Sequence, residues 1–436
     1  VNTAYIEGTE DALDQVRALA GVELAEGDRR YVGGGRWRLT AIIDESNISS
    51  IEQLGCAVTV FDTEADPLGF FHAKPAGYPT AGDINARVAA AGAAYPSLVM
   101  KADFLGSAAV PIPRLLFGSP SPAAKVVVTA GMHAREWAPP SAVITCIEAL
   151  LAAARDNKES RIGGYALGAA DVATIFSKLQ VCVLPLVNPQ GYDFSTAPAA
   201  TRDERAWRKN RRTATPNTAA CPGVDVNRNF DFMWNFKAHY TPSYIDLLGR
   251  AAPSTDICNE MYVGNTAFSE IESQAIEKLW SVEHHDFAYA LDIHSFGRDI
   301  LYPWAILPNQ PEAEIDDTKT WSLTQATQWD EDYKEYLKPA DRKKFLEIAK
   351  AIRKAIRKAS WRNYKIAGVA DGAGYWSSGS FTDWAYAKHG TSAMALEVGH
   401  LTERGFYPRF NGAYKRIAHE VGAAILAFLH YAASKS

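Results

Sequence analysis

The sequence predicts an α/β protein in which a large sheet is flanked by helices and preceded by a small N-terminal α/β sandwich. Three observations predict it. From about Tyr78 onward, short apolar and β-branched runs alternate with stretches of helical periodicity. Ahead of that point, residues 1–62 carry a strand–helix alternation of their own, and residues 63–77, rich in Gly, Pro and Ala, read as a linker to a unit over 78–436. Finally, the run Val126-Val127-Val128-Thr129-Ala130-Gly131 leads directly into His133, Arg135 and Glu136. That places titratable groups at the carboxyl end of a strand, where open α/β sheets bind their ligands.

In the first unit, residues 4–6 form a short strand and Thr9 caps a helix through Ala20, with Glu10 and Asp11 in its first turn and Gly21 behind it. Strands over 37–43 and 57–61 with a short helix over 49–54 complete a βαβαβ pattern. No titratable cluster with catalytic spacing stands out there. In the second unit, Thr80 opens a helix over 82–95, and strands fall at 115–117, 126–129, 179–187, 287–294 and 394–398. Helices separate them at roughly 140–155, 268–282, 341–359 and 411–432. The last shows a core-facing stripe of Ile417, Val421, Ile425, Phe428 and Leu429. Residues 305–340 are polar and charged and read as a surface insertion.

The 436 residues are 47% hydrophobic, enough for one large core and a small one, and the formal net charge of −5 argues against nucleic acid or anionic membrane as a partner. No apolar run reaches the length of a membrane span. The first residues, VNTAYIEG, lack a charged-then-apolar leader pattern. Of five cysteines, Cys146 and Cys182 sit in apolar patterns and read as core, whereas Cys221 and Cys258 lie in polar loop sequence where they can pair. Asn47-Ile48-Ser49 is a glycosylation sequon.

His133-x-x-Glu136 offers one imidazole and one carboxylate from a tight turn, and two ligands alone hold zinc poorly. His294, at the end of the strand AYALDI, is the candidate third ligand. Two His and one Glu with an open fourth position is a catalytic zinc arrangement. Glu397 lies in the apolar strand AMALEVG, where a carboxylate is costly unless something needs it.

From about Tyr78 to the end, the chain resembles the zinc carboxypeptidases, the family of pancreatic carboxypeptidases A and B. The resemblance rests on separated motifs in the family's order: GMHAREW, NPQGYDFS, WRKNRR, GVDVNRNFDF, LDIHS, YWSSGSFTDW and ALEVG. Residues 1–62 resemble the family's inhibitory pro-segment in size and strand–helix order only. The resemblance implies the family's mixed central sheet, one zinc ion on His133, Glu136 and His294, and Asp225 accepting a hydrogen bond from the ring of His133. It implies Glu397 as general base and proton shuttle, and Arg208 as the group that polarises the scissile carbonyl and holds the oxyanion. Asn227 and Arg228 match the clamp on the substrate's terminal carboxylate, where the planar fork of Arg suits a carboxylate. Tyr375 matches the mobile tyrosine that closes over the terminal residue. Arg135 and Asn188 line or support the outer cleft. A disulfide between Cys221 and Cys258 is also implied, and with it an oxidising, extracellular setting.

The resemblance therefore implies a monomeric, secreted exopeptidase acting on peptide or protein C-termini, with residues 1–62 as a possible internal inhibitor. Thr382 occupies the position at which B-type enzymes carry an acid, and Leu301, Ala305 and Ala395 would leave apolar room, which favours neutral side chains. Ser377 and Ser380 add polarity. Asp292 departs from the pancreatic pattern. It points to the same face as His294, so it either reaches the pocket and pairs with a basic side chain or supports the ligands from behind. An amidase for N-acyl amino acids would use the same groups. A peptide-binding protein without catalysis would lack Glu397 or Arg208, and both are present.

Overall fold

The computed structural model describes all residues except 1, 20–21, 64–76, 239–252, 284–285, 306–336, 370–376, 401–402 and 411. Residues 2–63 build a four-stranded antiparallel sheet in the order β2-β3-β1-β4, from β1 (Asn2–Gly8), β2 (Val22–Gly33), β3 (Arg36–Ile43) and β4 (Ala57–Thr63). The helices Glu10–Arg17 and Ile48–Gln53 supply Leu13, Val16 and Ile51 to a core with Ile6, Leu39 and Ile43. Thr9 caps the first helix as the sequence suggests, its hydroxyl accepting from Ala12 N. Strand β2 is absent from the sequence reading, because Ala25-Glu26-Gly27-Asp28-Arg29-Arg30 interrupts its apolar alternation. The signal that marks it is the turn: Gly33, Gly34 and Gly35 all take positive φ, the conformation a tight hairpin between β2 and β3 demands.

The second sheet has eight strands in the order β13 (Lys365–Gly368), β12 (Asp299–Tyr302), β14 (Ser392–Val398), β11 (Phe287–Ser295), β7 (Ala124–Ala130), β10 (Leu179–Leu184), β6 (Pro111–Gly118) and β5 (Val99–Gly106), and β8 (Ser160–Ile162) pairs with β9 (Tyr165–Leu167) as a separate hairpin. The centre of the eight-stranded sheet is parallel: β7 lies between β10 and β11, and β11 pairs in turn with β14. Antiparallel partners flank it, β6 on β10 and β12 on β14, so the sheet is mixed. The parallel strands are buried almost throughout, in keeping with helices on both faces. The helices Ala138–Arg155, Pro339–Ser360 and Gly412–Lys435 pack on one another and on the sheet through residues such as Ile147, Ile352 and Phe428.

The structure adds elements that apolar runs do not reveal. Edge strand β5 (Val99–Gly106) exposes Met100 and Phe104 and carries Lys101 and Asp103, so its pattern is not that of a buried strand. Strands β12 and β13 (Lys365–Gly368) are four residues each. Most of the expected insertion, 306–336, lies outside the described residues, and its last residues begin the helix Pro339–Ser360. The helix Gly412–Lys435 is long and apolar enough to cross a membrane, contrary to the sequence expectation, but 78% of its most apolar window is buried inside the protein. Cys221 and Cys258 form a disulfide, while Cys56, Cys146 and Cys182 are buried thiols.

Candidate active site

Strand β7 ends at Ala130, and the chain turns at Gly131 with φ of 68°. A Cβ there would come within 2.8 Å of Leu186 Cδ1 and 2.9 Å of Pro140 Cγ, so both conformation and space require glycine. Asn188, fully buried, donates its amide to Met132 O at 3.1 Å and Lys209 O at 3.2 Å. Ala134 N also donates to Arg208 O at 3.0 Å. Asn188 thus acts from beneath, fastening the His133–Glu136 turn to the segment that carries Arg208.

His133, Glu136 and His294 converge in a buried cluster whose ligand atoms all lie within 4.8 Å of one another. Glu136 reaches His133 Nδ1 at 2.6 Å and His294 Nδ1 at 3.0 Å, and Ser295 N donates to the same carboxylate at 3.2 Å. The two Nδ1 atoms face each other at 3.2 Å. Each ring turns its Nε2 to a carboxylate: His133 to Asp225 Oδ1 at 3.3 Å, and His294 to Asp292 Oδ2 at 2.6 Å. The 2.6 Å contact with Asp292 places the His294 proton on Nε2 and leaves its lone pair on Nδ1, while His133 Nε2 faces Asp225 without a hydrogen bond. Burial disfavours the Glu136 charge, but His133 and His294 outweigh it and hold the carboxyl well below the ordinary range.

Asp225 is fully buried at the start of the turn Val226–Arg228. It accepts from Arg208 Nε at 2.8 Å and Asn227 N at 3.0 Å. Arg208 and Arg228 overcome the burial penalty and keep its carboxyl well below the ordinary range. Arg228 Nη1 donates to Asn227 O at 2.8 Å, and Asn227 Oδ1 accepts from Phe381 N at 2.8 Å. Glu397 is the register partner of His294 across the parallel pair β11–β14, and of Asp299 across the antiparallel pair β14–β12. Desolvation pushes the Glu397 carboxyl up to about 8; His294 and Arg208 oppose the rise, Glu136 and Asp299 add to it. Sequence reading overlooked Asp299. The available signal was an acid opening the apolar run DILYPW just after the His294 strand.

Leu301 and Ala395 are register partners and pack with Ala367 into a small apolar cluster. Ala305 is buried: its N–H donates to both oxygens of buried Asp383, and its carbonyl accepts from Ser377 N at 2.8 Å. Ser380 caps the helix Phe381–His389, in whose first turn Thr382 is buried. Tyr375 lies outside the described residues. Arg135 donates to Glu260 at 2.9 Å and Ala206 O at 3.2 Å and stacks on the Phe406 ring at 4.5 Å. Asp292 is fully buried, with one oxygen on His294 and the other accepting from Thr129 Oγ1 at 2.7 Å.

A sequence profile of the zinc carboxypeptidases matches residues 112–420. The chain belongs to the zinc carboxypeptidase family. Carboxypeptidase B of Helicoverpa zea is 32% identical over 180 residues, 41% of this chain and 34% of the relative. The inactive metallocarboxypeptidase ECM14 of Saccharomyces cerevisiae is 27% identical over 289 residues, 64% of this chain and 53% of the relative. The chain thus spans between 34% and 53% of the length of these two curated relatives. Among solved structures, thrombin-activatable fibrinolysis inhibitor superposes with a TM-score of 0.73 at 17% identity, covering 100% of this chain and 99% of that one. Carboxypeptidase A of Helicoverpa armigera gives 0.67 at 18% identity, with 100% and 98% covered. At such identities the likeness establishes the fold.

The donor set fits the metal of the family's name. Two imidazole nitrogens bound tetrahedrally at about 2.0–2.1 Å stand about 3.3 Å apart, and the two Nδ1 atoms are 3.2 Å apart. A cation between these two nitrogens would relieve their close approach, and the Glu136 carboxylate beside them supplies the third donor.

Proposed function

We propose that this zinc carboxypeptidase is an active exopeptidase that removes the C-terminal residue of peptides and favours neutral, aromatic or aliphatic side chains. His133, Glu136 and His294 would hold one zinc ion, which when bound supplies a Lewis acid to polarise the scissile carbonyl and lowers the pKa of water to about 7. Glu397 takes the proton of the attacking water and returns it to the leaving amine. Arg208, anchored through Nε on Asp225, donates to the developing oxyanion. Asn227 and Arg228 receive the terminal carboxylate, and Tyr375 closes over the bound residue. The apolar trio Leu301, Ala367 and Ala395, with Thr382 in place of an acid, supports the neutral preference.

The observation that carries this reading is the register of His294 with Glu397 on adjacent parallel strands, with Arg208 tied to the carboxylate behind His133. The nearness of Glu397, His294 and Arg208 supports their reading as base, ligand and oxyanion donor. Similarity to an inactive metallocarboxypeptidase favours a second reading, a fold retained without turnover. The presence of both Glu397 and Arg208 favours catalysis. The proposal extends to residues 1–62 as an inhibitory pro-segment and, through the Cys221–Cys258 disulfide, to a secreted monomer.

Hydrolysis of blocked peptides ending in Phe, Leu and Arg, before and after limited proteolysis in the 63–77 linker, tests these points together. Expected are chelator-sensitive release of Phe and Leu over Arg, a rise after proteolysis, and loss of turnover in Glu397→Gln with zinc content unchanged. A cut, zinc-loaded chain that releases no terminal residue would establish the inactive reading.

A further inference from the structure

The carboxylates behind the two histidines are not equivalent. Asp225 is shared: Arg208 and the N–H of Asn227 bind it as well as the ring of His133, which it faces at 3.3 Å. Asp292 is committed. Its 2.6 Å contact to His294 Nε2 is the shorter of the two, and its other oxygen accepts from Thr129 Oγ1 at 2.7 Å. Among the described residues no lysine or arginine pairs with Asp292, although it is fully buried. A buried carboxylate without a cationic partner is costly unless positive charge develops next to it. The imidazole it touches, or the cation that imidazole would hold, is the source of that charge.

The backbone explains how the contact is fixed. Asp292 and His294 are two residues apart on β11, so their side chains share a face. Thr129 on β7 is the register partner of Asp292, one residue before the end of the strand that delivers His133 and Glu136. The Thr129 hydroxyl thus links the two ligand-bearing strands through Asp292. Threonine is stiff at χ1, which makes it a firm donor within a strand.

We propose that Asp292, locked by Thr129, is a positioning residue that fixes the ring orientation and Nε2–H tautomer of His294 and thereby sets how tightly the chain holds its metal. The inference rests on the reading of His133, Glu136 and His294 as a zinc site. It assigns Asp292 to the metal and removes it from side-chain selection.

The test is zinc affinity, measured on the full chain by competition with a chromophoric chelator, alongside the melting temperature of each zinc-stripped protein. Asp292→Asn is expected to bind zinc about 10- to 100-fold more weakly, the usual effect of losing such a support. Thr129→Val is expected to weaken zinc binding in the same direction whatever the fall in its zinc-stripped melting temperature, and Thr129→Ser to restore wild-type affinity. Should Asp292→Asn fail to fold, the Val and Ser pair at position 129 decides the matter. Unchanged affinity in Thr129→Val with a lowered melting temperature would make the contact merely structural and overturn the proposal. A wild-type chain that takes up no zinc would instead overturn the metal site itself.

Discussion

Glu272 offers the most quantitative check on the scaffold beneath the site. It is 2% exposed, in the first turn of the helix Ile271–Ser281, and accepts from Asn210 Nδ2 at 2.9 Å. Asn210 also donates to Glu270 at 2.8 Å, and its own Oδ1 receives Val224 N at 2.9 Å, one residue before Asp225. Burial pushes the Glu272 carboxyl from its ordinary 4.5 up to about 7; its hydrogen bonds and Arg212 oppose the shift and Glu270 adds to it. The folded state therefore holds this proton more tightly than the unfolded state does. Between those values the unfolded chain binds fewer protons, so stability falls as pH rises, by roughly 3 kcal/mol in all at 1.36 kcal/mol per unit. Glu272→Gln keeps an oxygen for Asn210 and never ionises. Urea unfolding of both proteins from pH 4.5 to 8 isolates this group, since the other titrations are shared. The variant should match the wild type near pH 4.5 and exceed it by up to roughly 3 kcal/mol at pH 8. A pH-independent difference, or a wild type that gains on the variant with rising pH, would refute the assignment.

Three further outcomes follow from contacts already described. Arg208→Met should lower kcat about 100- to 1,000-fold with a smaller change in KM, as expected for loss of a donor to the transition state; steady-state kinetics on a Phe-terminated peptide checks it. Gly131→Ala should destabilise the chain by about 1–3 kcal/mol, because φ of 68° and contacts under 3 Å leave no room for a Cβ; thermal unfolding reads this directly. Reducing the Cys221–Cys258 bond, or replacing both cysteines by serine, should cost about 2–4 kcal/mol for a cross-link separated by 37 residues, measurable as a lowered urea midpoint.

The parts of this molecule that were legible in the sequence are those where one physical cause dominates. Strands buried on both faces need continuous apolar runs, so β7, β10, β11 and β14 stand out. Polar residues at or near the ends of such runs single out His133, Glu136, His294 and Glu397, but their roles came from the ordered motifs that resemble the zinc carboxypeptidases. Where several causes compete, the reading falters. Strands β2 and β5 keep polar residues within the strand, and there turn chemistry or edge position determines structure more than apolar content does. Asp292 shows the limit most clearly. Its spacing from His294 gives the face of the strand but not the distance to the next strand, and two roles remained open. What the structure adds is the register of β7 against β11. Shifting that pairing by one residue would turn Thr129 to the opposite face, removing the hydroxyl and leaving Asp292 an oxygen to spend on a substrate. The hydrogen bonding of this carboxylate is thus set by the pairing of two strands distant in the chain, information that no local stretch of sequence contains.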